Sequence, residues 1–167
     1  MAASASSEPV DYVSAVAAFR LEDVERLFQG SFTDGMNVCA ECCDRHLGDT
    51  IALQWEGLDG RRATLTFADL TEQSARVANF LTSHGVKPGN VVSAMLPRTP
   101  QLVATILGTW RAGAVYQPLF TAFGPKAVEQ RLQTSEAKLV VTDGANRAKF
   151  DELQVAPRVA VVKRAED

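Results

Sequence analysis

Four potential metal ligands stand close together early in the chain. Cys39, Cys42, Cys43 and His46 fall at i, i+3, i+4 and i+7 of the run NVCAECCDRHL (residues 37–47), which reads as a helix with Asn37 as its N-cap. On a helix that spacing brings all four near one face, and thiolates with an imidazole are a zinc donor set. A structural zinc, however, closes its tetrahedron with donors from separate loops, which one continuous helix supplies poorly. Buried reduced thiols behaving as small hydrophobes are the better account. No metal site is assigned.

Other reactive groups are scarce. The sequence has no G-x-x-x-x-G-K-[ST], no G-x-G-x-x-G, no G-x-S-x-G and no H-E-x-x-H. Of the two histidines, His84 precedes Gly85 at the end of a helical run, where a cation suits the helix dipole. Asp143 alone suits the strand-end acid of a phosphoacceptor, and the rest of such a site is missing. No catalytic residue is assigned.

The elements that would position any site are clearer. Residues 90–120 form the organising unit: the Val-rich run before Pro97 suits a buried strand. Thr99 is a candidate N-cap and Pro100 a first helical residue. Leu102, Val103, Ile106, Leu107 and Trp110 then make one core-facing stripe, and Gly113 suits a left-handed helix end. Residues 114–119 read as a second buried strand. Strand, helix and strand in about thirty residues is a βαβ unit with parallel strands.

Upstream, residues 50–56 and 63–66 are the arms of a hairpin turning at Asp59-Gly60. They lead into a helix over 67–84, opened by a Thr66–Asp69 capping signature and buried along Leu70, Ser74, Val77, Ala78 and Leu81. Downstream, Pro125 opens a helix with Val128 and Leu132 inward. Strands are expected over 138–142 and 158–162, with a short helix or turn over 146–153 between them. This alternation is that of an α/β, doubly wound and largely parallel sheet with flanking helices. Residues 1–8 read as a disordered start, 9–49 as a helical N-terminal arm and 50–167 as an incomplete α/β subdomain. The last strand has no following element to cover it, so the fold is expected to be truncated.

Bulk properties fit this class. A chain of 167 residues with 46% hydrophobic and 22% charged residues can bury a core. A formal net charge of −3 argues against a nucleic-acid partner, and no apolar run is long enough to span a membrane. Three crowded cysteines are no disulfide framework, and the start lacks secretory-signal character, so a cytoplasmic location is expected.

Two motifs resemble a known superfamily. LTFADL (residues 65–70), a helix and then GVKPG (85–89) resemble the opening motif of the adenylate-forming, AMP-binding enzymes. WRAGAVYQPL (110–119) resembles their second motif, K/R-x-G-A-x-x-x-P. Within the superfamily, Asn37 with Asp44-Arg45-His46, Trp55-Glu56-Gly57, and FTAFG (120–124) followed by Arg131 are most similar to acetyl- and short-chain acyl-CoA synthetases. Phe67 stands where a Tyr is frequent, and Ala122 where a Gly is frequent.

The resemblance implies the N-terminal subdomain of the adenylate-forming fold. It also implies an AMP-forming ligase as the parent protein, joining a small-molecule carboxylate such as acetate to CoA with ATP and Mg²⁺. The family's phosphate loop and catalytic Lys lie downstream of these motifs. The segment alone is therefore expected to bind none of these cofactors productively and to need the remainder of the enzyme as its partner. The alternative is a non-enzymatic module that binds CoA or pairs with a separate remainder. By resemblance, Arg147, shortly after Thr142-Asp143, matches an Arg that contacts the phosphorylated ribose end of CoA. A second family Arg falls on Phe150, with Lys149 adjacent, and Phe120 lies near the same pocket. Arg147, Lys149 and Phe120 are thus the expected CoA-binding residues.

Overall fold

In a computed structural model, which describes residues 11–154 and 157–163, the chain divides into two compact units at the 36/37 boundary. The arm read over 9–49 is divided there, its residues from Asn37 onward belonging to the second unit. The start read as disordered (1–8) lies outside the described residues. The first unit holds two short helices, α1 (Tyr12–Ala18) and α2 (Leu21–Glu25). Asp11 caps α1 by accepting hydrogen bonds from the backbone N–H groups of Val13 and Ser14.

The second unit carries the sheet. A hairpin of β1 (Ile51–Glu56) and β2 (Arg62–Thr66) runs into α3 (Phe67–Ser83). The expected capping box is present: the Asp69 N–H donates to the Thr66 hydroxyl, and the Thr66 N–H donates back to the Asp69 carboxylate. Then follow β3 (Val91–Met95), α4 (Pro100–Arg111), β4 (Val115–Pro118), α5 (Pro125–Thr134), β5 (Leu139–Asp143) and β6 (Arg158–Val162). The last four strands form one parallel sheet in the order β4-β3-β5-β6.

Alternate residues of the two inner strands feed two cores. Val92 and Ala94 of β3, with Leu139 and Val141 of β5, pack against Leu81, Val86 and Leu96 on one face. Met95 and Val140 pack against Leu119, Val128, Leu132 and Phe150 on the other. That period of two is what a strand buried on both faces requires. β4 departs from the expected buried strand, since Val115 is 52% exposed. It is the edge of the sheet, with a single strand neighbour.

Two expectations for α4 need correction. Thr99 stands at the N-cap with extended backbone, but its side chain makes no capping bond. The deepest face of α4 is made of Ala104, Thr105, Leu107, Gly108 and Thr109, while Leu102, Val103, Ile106 and Trp110 are only partly buried. The reason is close approach to α3: a Cβ on Gly108 would lie 2.5 Å from Val77 Cβ and 2.9 Å from the Ser74 carbonyl oxygen. Large side chains at the contact would push the helices apart, so small residues take it.

The cysteines correct a third. Asn37 does cap the segment, accepting from the N–H groups of Cys39 and Ala40. The turn that follows, Ala40–Asp44, is a π-helix, with the Arg45 N–H bonded to the Ala40 carbonyl. Its wider turn breaks the expected single face. Cys39 and Cys43 are buried against Leu70 and Leu107, whereas Cys42 is exposed. His46 stacks on Phe67 with ring centroids 4.4 Å apart. Burial pushes the Cys39 thiol up to about 11.

The helix contact predicts that Gly108→Val lowers stability by about 2–3 kcal/mol through overpacking, read as a lower urea midpoint with an unchanged slope. For the cysteines, a thiol-reactive chromogenic disulfide should label one site in the native protein, Cys42, and the other two only after unfolding. The Cys39 shift has a definite sign. The folded state holds that proton more tightly than the unfolded chain, so its stability share is full below the ordinary thiol range. It should then be lost as pH rises toward about 11, and Cys39→Ala should flatten this part of the curve of melting temperature against pH.

Candidate functional site

The polar residues worth weighing gather at the carboxyl ends of the parallel strands. From β3 the chain leaves through α4 to β4 on one side, and from β5 it leaves to β6 on the other. Neighbouring strands whose connections part in opposite directions open a crevice at their carboxyl ends. The loops after β3 and β5 flank it, and the loop after β4 is tied to the loop after β5.

The loop after β5 is built by one carboxylate. Asp143 is buried and accepts from both the backbone N–H (3.0 Å) and the side-chain amide (2.8 Å) of Asn146. That turn starts a 3₁₀ segment, Arg147–Phe150, whose Phe150 ring is sunk in the core and fixes the segment from beneath. Asn146 Oδ1 in turn accepts from Lys149 Nζ at 3.2 Å, and Lys149 Nζ also donates to the carbonyl oxygen of Thr121. One ammonium therefore ties the loop after β5 to the loop after β4. Arg147 points outward with its side chain 40% exposed, and its Nη1 pairs with Asp151 Oδ1.

On the neighbouring loop, Phe120 is 66% exposed and so is a surface ring rather than part of the core. It is held edge-on against Phe123 with centroids 5.2 Å apart. The Arg131 guanidinium carbon sits 4.1 Å above the Phe123 centroid. The three residues singled out from sequence thus occur on two loops that a hydrogen bond joins. A guanidinium, an ammonium and an exposed aromatic ring are donors and a stacking platform suited to a phosphate and a planar base. Sequence reasoning named Asp143 only as a strand-end acid and missed its bonds to Asn146. It also missed Asn146 and Thr121, which complete the joint, and Asp151, which faces Arg147. The D-x-x-N spacing of Asp143 and Asn146 was the available signal for the turn.

Elsewhere the hairpin meets the start of α4 in an open groove of about 720 Å³, walled by Trp55, Arg61, Pro97, Arg98 and Pro100. The Trp55 indole N–H donates to the Arg98 carbonyl at 2.7 Å, and a Cβ on Gly57 would lie 2.8 Å from the ring. Among the described residues, no group of three or more His, Cys, Asp or Glu is placed to hold a metal ion, and no helix is long and apolar enough to cross a membrane. The donors on these loops fit a phosphate and do not fit Mg²⁺.

The chain has relatives among known proteins. Residues 39–167 match the AMP-binding enzyme family. The acetyl-coenzyme A synthetase of Sodalis glossinidius is 42% identical over 116 residues, covering 66% of this chain and 18% of that protein. The acetyl-coenzyme A synthetase of Streptomyces avermitilis is 38% identical over 122 residues, covering 70% and 19%. Among solved structures, an acyl-CoA synthetase from Brucella canis matches with a TM-score of 0.89 and 52% identity, over 93% of this chain and 29% of that one. ATP-bound MatB from Rhodopseudomonas palustris matches with a TM-score of 0.63 and 29% identity, over 75% and 25%. The chain thus spans under a third of the length of each of these relatives.

Proposed function

The chain belongs to the AMP-binding enzyme family, and from that premise we propose that it forms the N-terminal part of an AMP-forming acyl-CoA synthetase. In that reaction a carboxylate attacks the α-phosphorus of ATP to give an acyl-adenylate and pyrophosphate. The CoA thiol then displaces AMP from the acyl carbon. A short-chain acid such as acetate is the expected substrate, supported by the identity to acetyl-coenzyme A synthetases. ATP would supply the adenylyl group, and Mg²⁺ would neutralise charge on its phosphates in the first step.

This chain's own contribution is to the second step, through CoA. The observation that carries the reading is the joined pair of loops, with Arg147 and Lys149 on one and Phe120 on the other. The Arg147 fork meets a phosphate monoester with parallel charge-assisted hydrogen bonds. Lys149 adds positive charge while holding the loops in register, and the Phe120 face offers a stacking surface to a base. All three act on the nucleotide end of CoA, away from the thiol, so they bind and orient without taking part in acyl transfer.

Two measurements test this. The complete protein should catalyse acid-dependent exchange of labelled pyrophosphate into ATP, and the 167-residue chain alone should not; exchange by the chain alone above a boiled control overturns that division of labour. Arg147→Ala in the complete protein should raise KM for CoA about five- to thirty-fold, the loss expected of a partly screened contact of about 1–2 kcal/mol. Pyrophosphate exchange should stay unchanged, and the defect should shrink with dephospho-CoA. An equal KM for CoA in both proteins returns Arg147 to a surface role.

A further inference from the structure

Arg147 is not an idle cation. Its Nη1 is paired with the Asp151 carboxylate four residues on, and both side chains face solvent, 40% and 62% exposed. Lys149, between them in sequence, gives its ammonium to two neutral acceptors, the Thr121 carbonyl and the Asn146 amide oxygen. Asp143 gives its carboxylate to Asn146. Asp151 is the acid paired with Arg147. It is carried on the C-cap of the 3₁₀ segment that presents Arg147.

We infer that Asp151 is the resting counter-ion of Arg147, exchanged for the phosphate of the incoming ligand, and that it sets both affinity and anion selectivity at this edge. The inference rests on the reading of Arg147 as a phosphate contact. A guanidinium offers five N–H donors in one plane, and the carboxylate occupies part of that fork. A phosphate dianion either displaces Asp151 or binds beside it against like-charge repulsion. Either route lowers affinity by the worth of an exposed ion pair, about 1.5- to 5-fold. The cost falls hardest on anions with nothing else to hold them. A free monovalent anion gains little by replacing a tethered carboxylate, whereas a phosphate whose nucleotide also engages the Phe120 ring has further contacts to offset the exchange. Because the pair is exposed, the effect is screened by salt.

The test is CoA binding to the complete protein by titration calorimetry at low and high salt, for wild type, Asp151→Asn, Arg147→Ala and the double variant. Asparagine keeps the shape of the side chain and removes its charge. Asp151→Asn should bind CoA about 1.5- to 5-fold more tightly at low salt and show a smaller gain at high salt. It should bind dephospho-CoA as wild type does, and the gain should vanish in the Arg147→Ala background. Equal or weaker CoA binding by Asp151→Asn, while Arg147→Ala still weakens it, overturns the counter-ion exchange and leaves the phosphate contact standing. Wild-type CoA affinity in Arg147→Ala overturns both. Matching thermal melting midpoints across the four proteins are the control for folding.

Discussion

Burial of strand β3 on both faces is the constraint from which the rest follows. With β4 on one side and β5 on the other, its side chains leave alternately into two separate cores. A strand in that position needs helices above and below, which a parallel arrangement with crossover connections provides. The same arrangement brings every parallel strand to its carboxyl end on one edge. The loops after β4 and β5 both emerge at that edge one strand apart, and Lys149 bridges them by donating to the Thr121 carbonyl.

Charge is handled differently in the body of the unit and at that edge. Arg111, the last residue of α4, reaches the π-helical segment and α3, donating to Asp44 at 2.5 Å and to the Ser74 hydroxyl at 3.1 Å, while its own carbonyl accepts from Asn37. Thr71 donates to the same Asp44 oxygen. Such a half-buried pair is weak support for stability, because desolvation consumes much of the Coulomb gain. Its value lies in fixing which turn of the Asn37 segment meets which turn of α3 and α4. Among the described residues no buried side-chain polar atom lacks a partner. At the loop edge, by contrast, Arg147 and Asp151 are both exposed and their pairing is cheap to undo. A structural charge and an exchangeable one are told apart by that exposure.

Much of this was legible in the sequence where one local rule sufficed. The Thr66–Asp69 box, the Gly60 turn, the buried stripe of α3 and the inward Val128 and Leu132 of α5 follow from capping, turn chemistry and period alone. The failures lie where those local rules did not decide: two were set by neighbours distant in sequence and one by a local change of helix type. Leu102, Val103, Leu107 and Trp110 of α4 do face the cores, but the deepest contact falls to small residues, because α3 comes close enough to demand Gly108 there. Cys42 was turned out by a π-helical turn that no residue spacing announces. Exposure of β4 depended on its place at the sheet edge, which pattern cannot give. Arg147, Lys149 and Phe120 were reached through family motifs, since nothing in their own surroundings in sequence distinguishes an Arg on a loop from a ligand contact.

Magnitudes also bound what this edge can do by itself. One screened guanidinium–phosphate contact is worth about 1–2 kcal/mol. A base stacked on one exposed ring adds about 1–3 kcal/mol. Their sum, about 2–5 kcal/mol, compares with about 4 kcal/mol for millimolar binding. Immobilising a long flexible ligand subtracts from that total. On the proposed reading, the loops of this chain would orient the nucleotide end of CoA without holding the whole molecule tightly. The pantetheine arm and the reacting thiol need surfaces beyond these two loops. The matched relatives are several times longer than this chain, and under the proposed reading those numbers divide the labour: this edge would favour a phosphorylated ribose, with the bulk of the affinity built elsewhere.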